Sequence, residues 1–325
     1  MDDLISILMP VKNAEKFLTE SLESILNQSE KNWELIAVDD HSADTSRSII
    51  EKYKKRDQRI RILSNQGKGI ISALRTGYKH SKGSLIHRMD ADDIMSMNKL
   101  YELKARLTNL GKGHIVTSMV EYFSSDGVSE GYKEYERWLN QLCENDKQWE
   151  HIYEECVIAS PNWMVYKYDL DKAGAFDFDR YPEDYDLIFR FYKNNLSVKS
   201  IAKTLHYWRE HPDRTSRNSD LYQQKAFFEL KTYHWLKLEY SNEHVIIFGG
   251  GIKGKTMSQI LQLNNIDHDW LKEKPRQIDN DFIKKLTQEN SKIIITIGDL
   301  NEKKKIHQLM TLLKLKRNKD YYYFR

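Results

Sequence analysis

The sequence predicts an α/β protein, in which a mostly parallel sheet flanked by helices is followed by a second, smaller α/β unit. Three observations carry this prediction. Over the first ninety or so residues, short apolar runs alternate with segments whose apolar residues recur at helical spacing. The carboxyl ends of those runs collect a proline and several aspartates. A glycine-rich turn near residue 250 then opens a fresh alternation of the same kind. A length of 325 residues suits two domains of unequal size.

The elements follow in order. Leu4–Met9 is an apolar run closed by Pro10 and reads as a buried strand. Phe17, Leu18, Leu22, Ile25 and Leu26 mark a helix. Trp33–Val38 is a second strand that ends in Asp39-Asp40, and Ser42 and Asp44 can cap the helix after it. Arg59–Leu63 is a third strand, a helix runs from about Gly69 to His80, and Leu85–Met89 is a fourth strand ending in Asp90-Ala91-Asp92-Asp93. Strand–helix alternation of this kind gives parallel strands with right-handed crossovers, and ligands bind at their carboxyl ends. His114–Phe123 then reads as a strand, Tyr132–Glu155 as a helix, Asn162–Tyr166 as a short strand and Glu183–Asn194 as an amphipathic helix. Val198–Trp208 is extended, and a long helix over Asp220–Tyr240 closes a first domain of residues 1–240.

The second domain, residues 243–325, follows a break at Ser241-Asn242. His244–Phe248 is a strand leading into Gly249-Gly250-Gly251-Ile252-Lys253-Gly254 and a helix to about Gln262. Strands over Lys292–Ile297 and Tyr321–Phe324 flank a helix from about Glu302 to Lys316. A G-x-G-x-x-G turn between strand and helix is Rossmann-like, and Asp267, Asp269 and Glu273 lie where a ribose-binding carboxylate would stand. The unit is only half a dinucleotide fold, so redox chemistry is not expected. A homo-oligomer contact, or docking of a partner enzyme through 243–325, is.

Composition removes several classes of function. A net charge of +3 from 51 basic and 48 acidic residues gives no case for nucleic acid as the main partner. The 16 basic and 10 acidic residues of 243–325 could face anionic headgroups, although a solvated basic face reads as well. Two cysteines, Cys143 and Cys156, make neither a disulfide framework nor a zinc motif and point to a reducing compartment. The start at Met1-Asp2-Asp3 has no signal-peptide character. No apolar stretch approaches the roughly 20 residues that span a bilayer. A cytoplasmic protein that meets a membrane only peripherally, at its inner face, is expected.

The chemistry centres on Asp90-Ala91-Asp92-Asp93. Carboxylates crowded at one strand end repel one another, and a divalent cation relieves that repulsion while gripping a diphosphate. An acidic helix start would look similar in isolation. Asp39-Asp40 at a neighbouring strand end favours the functional reading.

These segments form an ordered series. Ser6-Ile7-Leu8-Met9-Pro10-Val11-Lys12-Asn13, Ser24-Ile25-Leu26-Asn27-Gln28-Ser29, Val38-Asp39-Asp40-His41-Ser42-Ala43-Asp44, Arg88-Met89-Asp90-Ala91-Asp92-Asp93, Pro182-Glu183-Asp184-Tyr185-Asp186-Leu187 and His206 to Ser216 follow one another over roughly residues 4–217. The series resembles family 2 glycosyltransferases of the GT-A fold. Where that family commonly has Gly-Ser after the aspartate pair, this chain has His41-Ser42.

The resemblance implies an inverting transferase that moves a sugar from a nucleotide-sugar donor, UDP-sugar favoured, to a hydroxyl of a saccharide or glycolipid acceptor. It assigns Pro10, Val11 and Asn13 to the nucleoside pocket and Asp40 to the base. Asp90 would face the ribose or the metal. Asp92 would hold the divalent cation, Mn or Mg, with Asp93 in support. Asp184 would be the general base, and His211, with Arg209 and Arg214 near, would meet the diphosphate. Asp186 would pair with Arg190, and of the many aromatics Trp163 is the candidate for stacking on a sugar ring. Two other readings compete with this one. A nucleotidylyltransferase needs a glycine-rich first turn, which Pro10-Val11-Lys12-Asn13 lacks. A non-catalytic nucleotide-sugar-binding or scaffold protein would have no need of Asp92, Asp184 and His211 together.

Overall fold

A computed structural model describes residues 3–272 and 280–325. The chain forms two compact units. The first takes the chain up to Trp149 together with Val157–Asn218, and the second takes Glu150–Cys156 together with Ser219–Arg325.

The first unit runs β1 (Ile5–Val11), α1 (Leu18–Leu26), β2 (Trp33–Asp39), α2 (Ser46–Arg56), β3 (Ile60–Ser64), α3 (Ile70–Lys79), β4 (Leu85–Arg88), β5 (Ile94–Met95) and α4 (Lys99–Leu110). It continues with β6 (His114–Phe123), α5 (Glu130–Asn145), β7 (Trp163–Tyr166), α6 (Lys167–Lys172), α7 (Glu183–Lys193), β8 (Ser197–Arg209) and α8 (Thr215–Asn218). Its sheet has the order β3-β2-β1-β4-β7-β6-β8-β5. The first four strands are parallel, as their alternation with helices predicts, and β6 is parallel to β8. β7 runs antiparallel to both of its neighbours, β4 and β6. Every residue of β2 and all but one of β1 are buried. That is why these strands read as unbroken apolar runs: helices cover both faces. Register sets Val11 beside Asp39 and Asp39 beside Ser64, and aligns β4 with β1 through Leu8 and Arg88. The ends of four parallel strands therefore share one edge.

The second unit contains α9 (Gln224–Leu238), β9 (His244–Phe248), α10 (Ile252–Leu263), β10 (His268–Leu271), α11 (Asn280–Leu286), β11 (Ser291–Ile295), α12 (Leu300–Leu312) and β12 (Tyr321–Tyr323). Its four strands are parallel in the order β10-β9-β11-β12, the half-Rossmann arrangement expected. The boundary between units falls before α9 and not after Tyr240. Phe228 and Trp235 of α9 are fully buried, and Trp235 packs on Tyr240 and Tyr322 with ring centroids 5.5 and 5.7 Å apart. The helix supplies core to this unit, which the break at Ser241-Asn242 hides from a reader of the sequence. Asp269 pairs with His244 at 3.1 Å, and Glu273 lies outside the described residues.

The glycine turn is sterically constrained at more than one position: a Cβ on Gly250 would stand 2.1 Å from the carbonyl oxygen of Lys272. A Cβ on Gly254 would stand 1.9 Å from the carbonyl oxygen of Gly249. Gly254→Ala is expected to destabilise the second unit by about 1–3 kcal/mol, as overpacking does. A thermal melt indistinguishable from wild type would contradict this.

Candidate active site

The site grows from the carboxyl edge of the first sheet. At the β1 and β2 turns, Asn13 adopts φ 49° and its Oδ1 accepts from the backbone N–H of Ala43 at 2.8 Å, locking the two turns together. His41 adopts φ 57°, a left-handed conformation in which glycine, the residue the resemblance expects there, is the low-cost choice. Asp40 is buried, and its carboxylate accepts from Asn65 Nδ2 at 2.6 Å and from the Gly69 N–H at 3.0 Å, with Lys12 Nζ at 3.4 Å. Both of its oxygens are thus engaged in closing the turn between β3 and α3. Val11 is a correction to the sequence reading. Its side chain is in the core, 1% exposed, and it offers the edge only backbone: its carbonyl accepts from the Asp40 N–H at 2.8 Å. Pro10 is partly exposed, and Lys12 and Asn13 are exposed.

After β4 comes the acidic loop. Arg88 is buried, and its guanidinium spans two segments, with Nε 2.9 Å from Asp90 Oδ1 and Nη1 3.1 Å from Glu183 Oε1. It therefore ties the loop after β4 to the first turn of α7, where Asp184 sits. Desolvation raises the Asp90 carboxyl above its ordinary range, Arg88 opposes the rise, and Asp92 adds to it. Asp184 is partly exposed and accepts from the Tyr185 N–H at 2.8 Å. Desolvation first, and the neighbouring Glu183 charge second, push its carboxyl up to about 7, against the pull of Arg88. Asp90 also raises Asp184, so the two acidic motifs share one electrostatic cluster. Asp186 is buried between Arg180 at 2.6 Å and Arg190 at 2.8 Å, the structural partner expected of it.

The other side of the loop meets the end of β8. His211 Nε2 lies 3.0 Å from Asp92 Oδ2, the ring rests against Phe17 at 4.6 Å, and the buried Nδ1 has no hydrogen-bond partner. Asp93 and Arg209 stand elsewhere than the sequence reading put them. Asp93 is 1% exposed, with Oδ2 3.0 Å from His206 Nε2 and Oδ1 accepting from the Arg209 N–H at 2.8 Å, which leaves neither oxygen open for a metal. The Arg209 side chain is a strap: Nε donates to the Asp92 carbonyl at 2.7 Å and Nη2 to Glu20 at 2.6 Å, while the guanidinium lies over Phe17 and Phe123. Arg214 is stacked over Trp208 and paired with Glu210 at 3.1 Å. Trp163 is core, 1% exposed and packed on Phe191, so it presents no face to a sugar.

Asp92 and His211 could hold a divalent cation between them: their nearest side-chain atoms lie 3.0 Å apart, joined in its absence by a hydrogen bond. Among the described residues no group of three or more His, Cys, Asp or Glu is arranged to enclose an ion. Water and phosphate oxygens would complete the shell, as magnesium-type sites commonly require. Lys99 has no place in the sequence reading, and Arg88, Glu183 and His206 stand inside its quoted segments with no role of their own, because the significance of each lies in its tertiary partner.

An open sheet with an acidic loop after its fourth strand and a second acidic motif on a later helix is the architecture of a GT-A glycosyltransferase. The chain belongs to glycosyl transferase family 2, whose sequence profile matches residues 6–174, just over half of it. It is 31% identical to an uncharacterized glycosyltransferase of Haemophilus influenzae over 56% of this chain and 58% of that one. It is 30% identical to the uncharacterized glycosyltransferase EpsJ of Bacillus subtilis over 66% of this chain and 63% of that one. A segment covering 31% of this chain and 40% of its relative is 42% identical to the UDP-Glc:alpha-D-GlcNAc-diphosphoundecaprenol beta-1,3-glucosyltransferase WfgD of Escherichia coli. The chain thus spans about three-fifths of the length of the first two of these relatives. The crystal structure of Staphylococcus aureus TarS 1–349 in complex with UDP-GlcNAc shares the fold, with a TM-score of 0.56 and 16% identity over 79% of this chain and 71% of that one. Among the described residues no helix is long and apolar enough to cross a membrane.

Proposed function

We propose that this chain transfers a sugar from a UDP-sugar to a hydroxyl of a saccharide or glycolipid acceptor, with inversion at the anomeric carbon, in the assembly of surface polysaccharide or glycolipid. The observation that carries the reading is Asp184. It is a partly exposed carboxyl whose affinity for protons is raised to about 7, in one charged cluster with the acidic loop. A general base works best with a pKa near the working pH. Asp184 would take the proton of the acceptor hydroxyl as its oxygen attacks the sugar from the face opposite the diphosphate. A divalent cation held by Asp92 and His211 would neutralise charge on the departing diphosphate. Arg88 keeps the base and the acidic loop in register. Pro10 and the turns joined by Asn13 and Asp40 would form the floor for the nucleoside. The family and the UDP-sugar named for WfgD support the donor class. The second unit, with half a dinucleotide fold, would serve contact with another subunit or a partner enzyme.

The test is UDP release from UDP-glucose and UDP-N-acetylglucosamine, with a panel of saccharide and polyprenyl-diphosphate-linked acceptors. Release should require added Mn²⁺ or Mg²⁺ and fall to background with EDTA. Donor binding without turnover under every metal and acceptor condition would instead identify a non-catalytic binding protein.

A further inference from the structure

Behind the acidic loop lies a chain of buried titratable groups that the reaction itself does not use. Lys99, at the start of α4, is 0% exposed. Its Nζ donates to the Pro161 carbonyl at 2.9 Å and lies 2.8 Å from His206 Nδ1. With the lysine as donor, Nδ1 is the acceptor and the imidazole proton sits on Nε2, 3.0 Å from Asp93 Oδ2. The other Asp93 oxygen accepts from the Arg209 N–H at 2.8 Å. Arg209 then reaches back and donates from Nε to the Asp92 carbonyl at 2.7 Å. The loop carrying Asp92 is therefore fastened at two successive residues, and both fasteners end on Arg209, two positions before His211.

Such a chain is an expensive way to fill a core. Well-packed apolar side chains in its place would often be neutral or stabilising, whereas removal of one member strands the others without partners. A use in geometry would account for its presence. We infer that Lys99, His206 and Asp93 are positioning residues: they hold the Asp92 carboxylate beside the His211 imidazole, where the two can share a divalent cation, without touching the cation or the donor. The inference rests on the metal reading under Proposed function. It adds that the site is preset from behind, by residues that a list of ligands would omit.

The experiment uses the full chain and Mn²⁺, with UDP present. Free Mn²⁺ is read by electron paramagnetic resonance, and the Mn²⁺ dependence of UDP release is measured in parallel. Two variants are compared with wild type: His206→Gln, and the triple replacement Lys99→Met, His206→Met, Asp93→Leu, which removes the whole chain and keeps the space filled. Folding is checked by circular dichroism, and the triple variant decides the matter if the single one does not fold. Loss of an outer-shell partner commonly weakens a metal site roughly 10–100-fold. The expected result is a weakening of that order in the apparent Mn²⁺ affinity, with most of kcat recovered at saturating Mn²⁺. A folded variant with wild-type Mn²⁺ affinity overturns the inference, whether or not its kcat has fallen. Should wild type itself fail to bind Mn²⁺ in the presence of UDP, the metal reading fails and this inference falls with it. That defect would be visible in the parent and not only in the variants.

Discussion

Asp184→Asn is expected to lower kcat for sugar transfer by about 10²–10⁴-fold, the usual contribution of a positioned general base, with UDP-sugar affinity little changed. Asparagine keeps the shape and the acceptor oxygen that caps the Tyr185 N–H, so the loss would report the proton-accepting oxygen and not the fold. The pH dependence gives a second reading on the same group. With its carboxyl at about 7, wild-type kcat/KM should climb as pH rises through that value and level off above it, because only the ionised form can accept the proton. Glu183→Gln removes a neighbouring negative charge that helps raise Asp184, so this limb should move to lower pH. Linkage fixes the companion effect on stability. The native state holds a proton on Asp184 between its unfolded value of 3.8 and about 7, where the unfolded chain does not. The stabilisation is therefore present at low pH and fades as pH rises across that window. A flat pH–rate profile, or transfer by the asparagine variant at the wild-type rate, would remove Asp184 from the role of base.

Much of this architecture was legible because burial on two faces leaves a plain signature. β6 and β9 span the residues their apolar runs mark, His114–Phe123 and His244–Phe248. β10, His268–Leu271, carries none, since its four residues are His, Asp, Trp and Leu and none is fully buried. The Tyr132–Glu155 run breaks in the structure after Asn145, where Asp146 turns left-handed at φ 52°, a conformation no apolar periodicity announces. The acidic loop was legible for an energetic reason: three carboxylates at one strand end need a counter-charge. What stayed hidden is which of them meets it. Asp92 and Asp93 are chemically identical neighbours, yet one pairs with His211 at a partly exposed position and the other is sealed against His206. Only the direction of each side chain separates them. Lys99 is the extreme case, because a lysine on the first turn of a helix reads as solvated, and nothing local to it shows the buried imidazole 2.8 Å away.

The second large effect is expected at Glu154, far from the acidic loop in sequence and within the second unit. Residues Glu150–Cys156 leave the course of the first unit and contribute to the second. Tyr153 there is 1% exposed and stacks on Phe324 with centroids 5.5 Å apart. The Glu154 carboxylate, 7% exposed, accepts from Lys303 Nζ at 2.6 Å and from Arg317, and lies 2.8 Å from His151 Nδ1. Burial alone would raise this carboxyl, but the His151 hydrogen bond and the Lys303 and Arg317 charges outweigh it and hold it well below the usual carboxylate range. Glu154→Ala strands two cations in a largely dry setting, and breaking a buried pair in this way costs about 3–5 kcal/mol. The second unit should therefore unfold at clearly lower temperature or urea concentration, as a separate transition if the two units do not unfold together. Glu154→Gln, which keeps an acceptor for Lys303 but not the charge, should lie between. The sign of the pH effect follows from the depressed carboxyl: its stabilisation is complete above the unfolded value of 4.5 and drains away as pH falls toward the folded one. The gap between wild type and the alanine variant should accordingly narrow in acid. A gap that is absent at pH 7, or that widens as pH falls, would mean that Glu154 is not what ties the inserted segment to this unit.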